Sequence, residues 1–116
     1  MAHDRPHRSV TGRIIKAFYQ VYNVLGFGFL EKVYENSMSL ELRKLGCSVL
    51  QQYPTPVYYD GILVGDYVAD LLVDDCVIVE IKAAAALAPE HEAQLLNYLK
   101  ATRFEVGLLL NFGPQA

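Results

Sequence analysis

The chain of 116 residues contains no tryptophan and only two cysteines. Cys47 and Cys76 stand far from any paired metal-ligand or redox spacing, and sequence alone establishes no disulfide between them. They read as buried or half-buried thiols. Also missing is any apolar run near the ~20 residues that a membrane span requires, so no membrane partner is expected. Residues 1–9 are polar, carry Arg5 and Arg8, and lack the apolar stretch of a secretory signal. The expectation is a flexible lead over residues 1–8, a single domain over residues 9–116 and a cytoplasmic location. An excess of positive charge is absent too: 10 Lys and Arg face 13 Asp and Glu, a net charge of −3. That argues against coating nucleic acid by bulk electrostatics. It leaves room for an acidic pocket that grips phosphate locally.

What the sequence does contain is an ordinary globular balance, 53% hydrophobic and 20% charged, without repeats or low-complexity tracts. Val10, Ile14, Phe18, Val21, Tyr22 and Leu25 recur at helical spacing, which predicts a helix over residues 9–24 that Gly26 and Gly28 stop. A second helix fits residues 29–45, with Leu30, Val33, Tyr34, Leu42 and Leu45 as its apolar contacts and Gly46 at its end. Beyond Gly46, residues 48–52 and 56–59 are rich in Val and Tyr and interrupted by prolines, as in an edge strand. Asp60-Gly61 signals a hairpin. Residues 62–73 and 76–83 read as two long strands joined at Asp74-Asp75. Pro89 opens a third helix through residue 101, where its missing N–H costs nothing. Residues 105–112 form a continuous apolar run, expected to be a strand covered on both faces. This order predicts an α/β domain, a mixed sheet with helices on its faces.

The chemistry is signalled by charge inside apolar strands. Val77-Ile78-Val79-Glu80-Ile81-Lys82 has the apolar character of a core strand, yet Glu80 and Lys82 share one of its faces. In the preceding strand, regular alternation puts Asp66 and Asp70 on one face and Tyr67, Ala69 and Leu71 on the other. A hairpin through Asp74-Asp75 would bring Asp70 beside Glu80. Burying an unpaired charge costs several kcal/mol, so a core strand seldom carries one idly. Two readings offset that cost. Lys82 could form a structural salt bridge with Glu80 or Asp70. Alternatively, Asp70 and Glu80 could hold a hard divalent cation through oxygen ligands, with Lys82 acting on a water and on the charge developing at phosphate. On spacing alone both remain open. Glu31 and Tyr34 share a side of the second helix, as Gln94 and Tyr98 share a face of the third.

Gly28, Glu31 and Tyr34, then Asp70, then Glu80-Ile81-Lys82, then Gln94 and Tyr98, and finally Asn111-Phe112-Gly113 follow one another over nearly the whole chain. In this order they resemble the GxxExxY protein family of the PD-(D/E)XK nuclease-like superfamily. The resemblance implies a restriction-endonuclease-like αβββαβ core, with a mixed central sheet flanked by helices. It implies Mg²⁺ or Mn²⁺ on Asp70 and Glu80, with the Ile81 carbonyl and Glu31 as further ligands, Lys82 as the catalytic lysine and Gln94 in support. The reaction implied is phosphodiester hydrolysis on DNA or RNA. The alternative is a non-catalytic module of the same fold that binds nucleic acid or a protein partner. The stretch from Ala83 to Ala88 departs from the family in being apolar, so the resemblance supplies no phosphate contact there. His91-Glu92 lacks the second histidine of a zinc-protease motif. Arg5, Arg8, Arg13 and Lys16 form a modest basic stretch, the place best suited to steer a nucleic acid. Tyr53, Tyr58 and Tyr59 have rings able to stack on bases, but an edge-strand or homodimer contact is the better expectation for them.

Overall fold

The computed structural model describes residues 7–114. Helices α1 (Arg8–Leu25) and α2 (Glu31–Lys44) lead into strands β1 (Val49–Tyr59), β2 (Ile62–Val73) and β3 (Val77–Lys82). Helix α3 (Pro89–Ala101) and strand β4 (Val106–Asn111) follow. The flexible lead expected over residues 1–8 falls mostly outside the described residues, although Arg8 already belongs to α1.

The strands form one sheet in the order β1-β2-β3-β4. β1–β2 and β2–β3 are antiparallel and β3–β4 is parallel, as α3 must cross over to return the chain in the same direction. The architecture is the mixed α/β sheet expected from the element order. At Asp60-Gly61 both residues have positive φ, 57° and 76°, the geometry that closes a two-residue hairpin between Tyr59 and Ile62. β1 is indeed an edge strand, and it runs unbroken through Pro54 and Pro56.

Two layers of helix sandwich the sheet. On one face Val10, Ile14, Ala17, Phe18 and Val21 of α1 join Tyr34, Met38 and Leu42 of α2 over Leu71, Val73, Val77, Val79 and Ile81. On the other, Leu95 and Tyr98 of α3 meet Ala69, Leu72, Ile78 and Phe104, with Tyr67 half-buried beside them.

Two expectations change. α2 begins at Glu31, so Leu30 precedes it in extended conformation and is 80% exposed, and Val33 also faces outward. The helix buries Tyr34, Glu35, Met38, Ser39 and Leu42 instead, a face that mixes polar and apolar side chains and so escapes hydrophobic periodicity. β4 is half-buried rather than covered on both faces, because it forms the second sheet edge. Among the described residues no helix is long and apolar enough to cross a membrane.

Candidate active site

The site lies where β2 and β3 part. Their ladder pairs Val73 with Val77, Leu72 with Ile78 and Leu71 with Val79, then stops. One step further Asp70 stands opposite Glu80, and a side chain takes over from main chain: the Ile81 N–H donates to Asp70 Oδ2 at 2.7 Å. Side-chain alternation breaks at the same point. Tyr67 and Ala69 pack beneath α3 with Leu72, whereas Leu71 packs beneath α1 and α2. The expected shared face of Tyr67, Ala69 and Leu71 is therefore corrected. A strict period of two cannot anticipate a residue whose carboxylate replaces a rung of the ladder.

Main-chain directions along β3 complete the opening. The Lys82 carbonyl accepts from the Phe112 N–H at 2.8 Å, toward the β4 side, while the Ile81 N–H points toward β2. In a strand the N–H and C=O of one residue point the same way, so the Ile81 carbonyl also faces the gap.

Glu80 is 8% exposed, and its Oε1 is buried without a hydrogen-bond partner. The Tyr67 hydroxyl and the Asp70 carboxyl both face it. Burial, then the neighbouring Asp70 charge, push the Glu80 carboxyl up to about 8, against the opposing pull of Tyr67 and Lys82. Burial also raises Asp70, opposed first by the Ile81 N–H, while the Glu35 charge adds to the rise. The same site raises the Tyr67 phenol, through burial and then the Glu80 charge.

Lys82 faces both carboxyls closely enough to lower their pKa values, yet it takes part in none of the ion pairs among the described residues. The structural salt bridge that was open on spacing is not formed. The Lys82 amine is left without an ion-pair partner among the described residues.

The remaining expected residues divide. Glu31 is exposed at the start of α2 and accepts the Ala83 N–H through Oε2 at 3.2 Å, just past Lys82. It reaches the rim of the site and does not join Asp70 and Glu80: no group of three or more His, Cys, Asp or Glu converges on a metal position among the described residues. Gln94 is exposed and borders a depression of about 220 Å³ with Val57, Tyr67, Asn97, Tyr98 and Ala101. It makes no side-chain hydrogen bond with Asp70 or Glu80 and shares only the lining of this depression with Tyr67.

Sequence reasoning missed Glu35 and Gln52. Glu35 is 4% exposed. Its Oε1 accepts from Gln52 Nε2 at 2.6 Å, and its Oε2 accepts from Gln51 Nε2 at 2.6 Å and Lys32 Nζ at 3.0 Å. Gln52 also donates to Asp70 Oδ1 at 3.3 Å. One signal was available: Glu35 lies four residues after Glu31, next to the buried Tyr34, on the face that α2 turns inward.

Other motif residues hold the frame. Gly28 has φ 111°, closed to most side chains, and makes the turn into α2. The Tyr34 ring stacks on Phe112 at 4.3 Å, and its hydroxyl donates to the Gly26 carbonyl at 2.7 Å and accepts the Phe29 N–H at 3.2 Å. Asn111 clamps the loop after Lys82 by exchanging two hydrogen bonds of 3.0 Å with the Ala84 main chain. His91 Nδ1 accepts the Ala88 N–H at 3.2 Å, a helix cap and not a metal ligand.

A family model of the PD-(D/E)XK nuclease superfamily matches residues 8–116. The chain belongs to that superfamily. Comparison with curated proteins gave no match, and comparison with solved structures gave none either. Membership ties the αβββαβ order to a restriction-endonuclease-like fold and suggests a nuclease-like function that acts on nucleic acid. PD-(D/E)XK nucleases generally use divalent metal ions. The donor set here fits such an ion. Two carboxylates and a main-chain carbonyl are hard oxygen donors, and the buried Glu80 Oε1 has no hydrogen-bond partner.

Proposed function

We propose that this chain is a metal-dependent nuclease of the GxxExxY type, which hydrolyses phosphodiester bonds of DNA or RNA in the cytoplasm. The observation that carries the reading is the buried, unpartnered Glu80 oxygen beside Asp70, with Lys82 unpaired above them. Asp70, Glu80 and the Ile81 carbonyl are the residues that would hold Mg²⁺ or Mn²⁺, and Glu31 would approach from the rim. A bound ion would supply Lewis acidity at the scissile phosphate. Lys82 orients the attacking water and sets its ammonium against the charge that grows on the phosphoryl oxygens. The water oxygen bonds to phosphorus and gives up one proton, one P–O ester bond breaks, and the leaving oxygen takes up one proton in exchange, so the sum is the addition of one water across that bond. The apolar loop from Ala83 to Ala88, clamped by Asn111, contributes shape and no charge at the mouth.

A second reading is favoured by one observation: Glu31 is engaged with Ala83 instead of converging with the carboxylates. Under it the fold is a non-catalytic module that binds nucleic acid or a protein.

Anomalous diffraction from crystals soaked in millimolar Mn²⁺ separates the two. A peak between Asp70 and Glu80, with Mn²⁺-dependent cleavage of DNA or RNA that Lys82→Ala abolishes, is the expected result. No peak and no cleavage across single- and double-stranded substrates would establish the module.

A further inference from the structure

Three irregularities coincide at one level of the sheet. The β2–β3 ladder ends at Leu71 and Val79, side-chain alternation breaks at Asp70, and Gln52, directly across β1, has φ 53°. A left-handed glutamine inside a strand is unfavourable, and it occurs here between two regular pairs, Gln51 with Leu71 and Tyr53 with Ala69. Such local strain persists only where the surroundings hold it in place.

The surroundings are two carboxylates. The Gln52 amide nitrogen has two hydrogens, and both are used: one on Glu35 Oε1 at 2.6 Å, one on Asp70 Oδ1 at 3.3 Å. Only the nitrogen of the amide fits between two carboxylate oxygens, so the orientation of the side chain is fixed by chemistry. Glu35 in turn is anchored by burial, by Lys32 and by Gln51. Asp70 is consequently held at both oxygens, Oδ1 by Gln52 and Oδ2 by the Ile81 N–H. Each of its oxygens keeps a second lone pair, and these are set in direction before any ligand arrives.

We propose that Gln52, seated on the buried Glu35, is a positioning residue that presets the Asp70 carboxylate for a divalent cation. The inference rests on the metal reading given above and adds what that reading lacks: the reason Asp70 is aimed. Partners of a ligating carboxylate in other metal sites change metal affinity by roughly 10- to 100-fold when removed.

Gln51 provides the control. It also donates to Glu35, at 2.6 Å, and to Asn36 at 2.8 Å, but not to Asp70. Gln52→Met and Gln51→Met therefore each remove a hydrogen bond from Glu35, and only the first frees Asp70. Two readouts are taken on the full chain: Mn²⁺ affinity by calorimetry, and hydrogen exchange of the Ile81 amide without metal. The expected result is that Gln52→Met weakens Mn²⁺ binding by roughly 10-fold or more and speeds Ile81 exchange, while Gln51→Met leaves both near wild type. Equal effects of the two variants, or no effect of Gln52→Met on Ile81 exchange, would overturn the positioning role. Wild-type protein that binds no Mn²⁺ would overturn the preset-for-cation inference together with the metal reading. Ile81 exchange would still show whether Gln52 orients Asp70, so the two failures are distinguishable.

Discussion

The two faces of the sheet are covered very differently. Beneath α1 and α2, the buried aliphatic and aromatic residues form a continuous layer that runs from Val10 to Phe112, with Ile14, Tyr34, Met38 and Leu42 wholly inaccessible. Beneath α3 the cover is thin: only Leu95 and Tyr98 of that helix are buried, and Leu96 is 52% exposed. Glu80 and Lys82 project toward this thin side, in line with Ile78. The thick face buries the apolar surface that fixes the strands, while the thin face holds the ionisable groups of the site, which a full core would exclude.

The sharpest way to test the contrast is Lys82→Ala. Since Lys82 joins no ion pair, folding should change by less than ~1 kcal/mol, while cleavage should fall by roughly 10³-fold. A large loss of stability in urea would mean that the lysine is structural after all. Next in size are the layers themselves. Met38→Ala should cost about 3 kcal/mol, within the usual range for a buried methionine, and Leu95→Ala about 2 kcal/mol at the lower end of that range. Equal costs in chemical denaturation would erase the difference between the faces.

The pH dependence should isolate Glu80. Its folded pKa of about 8 lies above its ordinary 4.5, so the folded chain binds more protons than the unfolded chain between those values. The contribution is therefore complete below about pH 4.5 and is lost as pH rises through 8. Glu80→Gln should remove that slope and gain on the order of 2 kcal/mol at pH 8 without metal. Saturating Mn²⁺ should reverse the wild-type trend, since the ion requires deprotonated carboxylates. At 100 times its Kd it should add about 2.7 kcal/mol, which thermal melts across pH would read. The smallest effect is expected at Gly107→Ala, where the new Cβ would meet Leu95 Cδ1 at 2.8 Å. Pushing α3 off the thin face should cost about 1 kcal/mol and open the Tyr67–Tyr98 contact. Unchanged tyrosine fluorescence in that variant would show that α3 does not seat Tyr67.

Much of this molecule was legible before its fold was known. Asp60-Gly61, Asp74-Asp75 and Pro89 mark turns and a helix start through purely local constraints on φ and the N–H. Glu80 and Lys82 stood out because charge in an apolar strand is costly wherever that strand lies. For Glu31 and Gln94 the sequence gives the helix, whereas the reach of each side chain depends on how that helix packs. Glu35 and Gln52 gave almost no signal, because a polar side chain on a helix or an edge strand is ordinary until something across the sheet needs it.

By itself, then, the sequence determined the element order, the hairpins and which acidic and basic residues were candidates for a site. Each follows from short-range periodicity or from the cost of burying charge. Tertiary structure alone decided that the β2–β3 ladder would end at Asp70, that Tyr67 would turn toward Glu80, and that Glu35 and Gln52 would stand behind the carboxylate. Those contacts join α2, β1, β2 and β3 across 11 to 18 positions of chain, and no local preference encodes which side chain completes a broken rung.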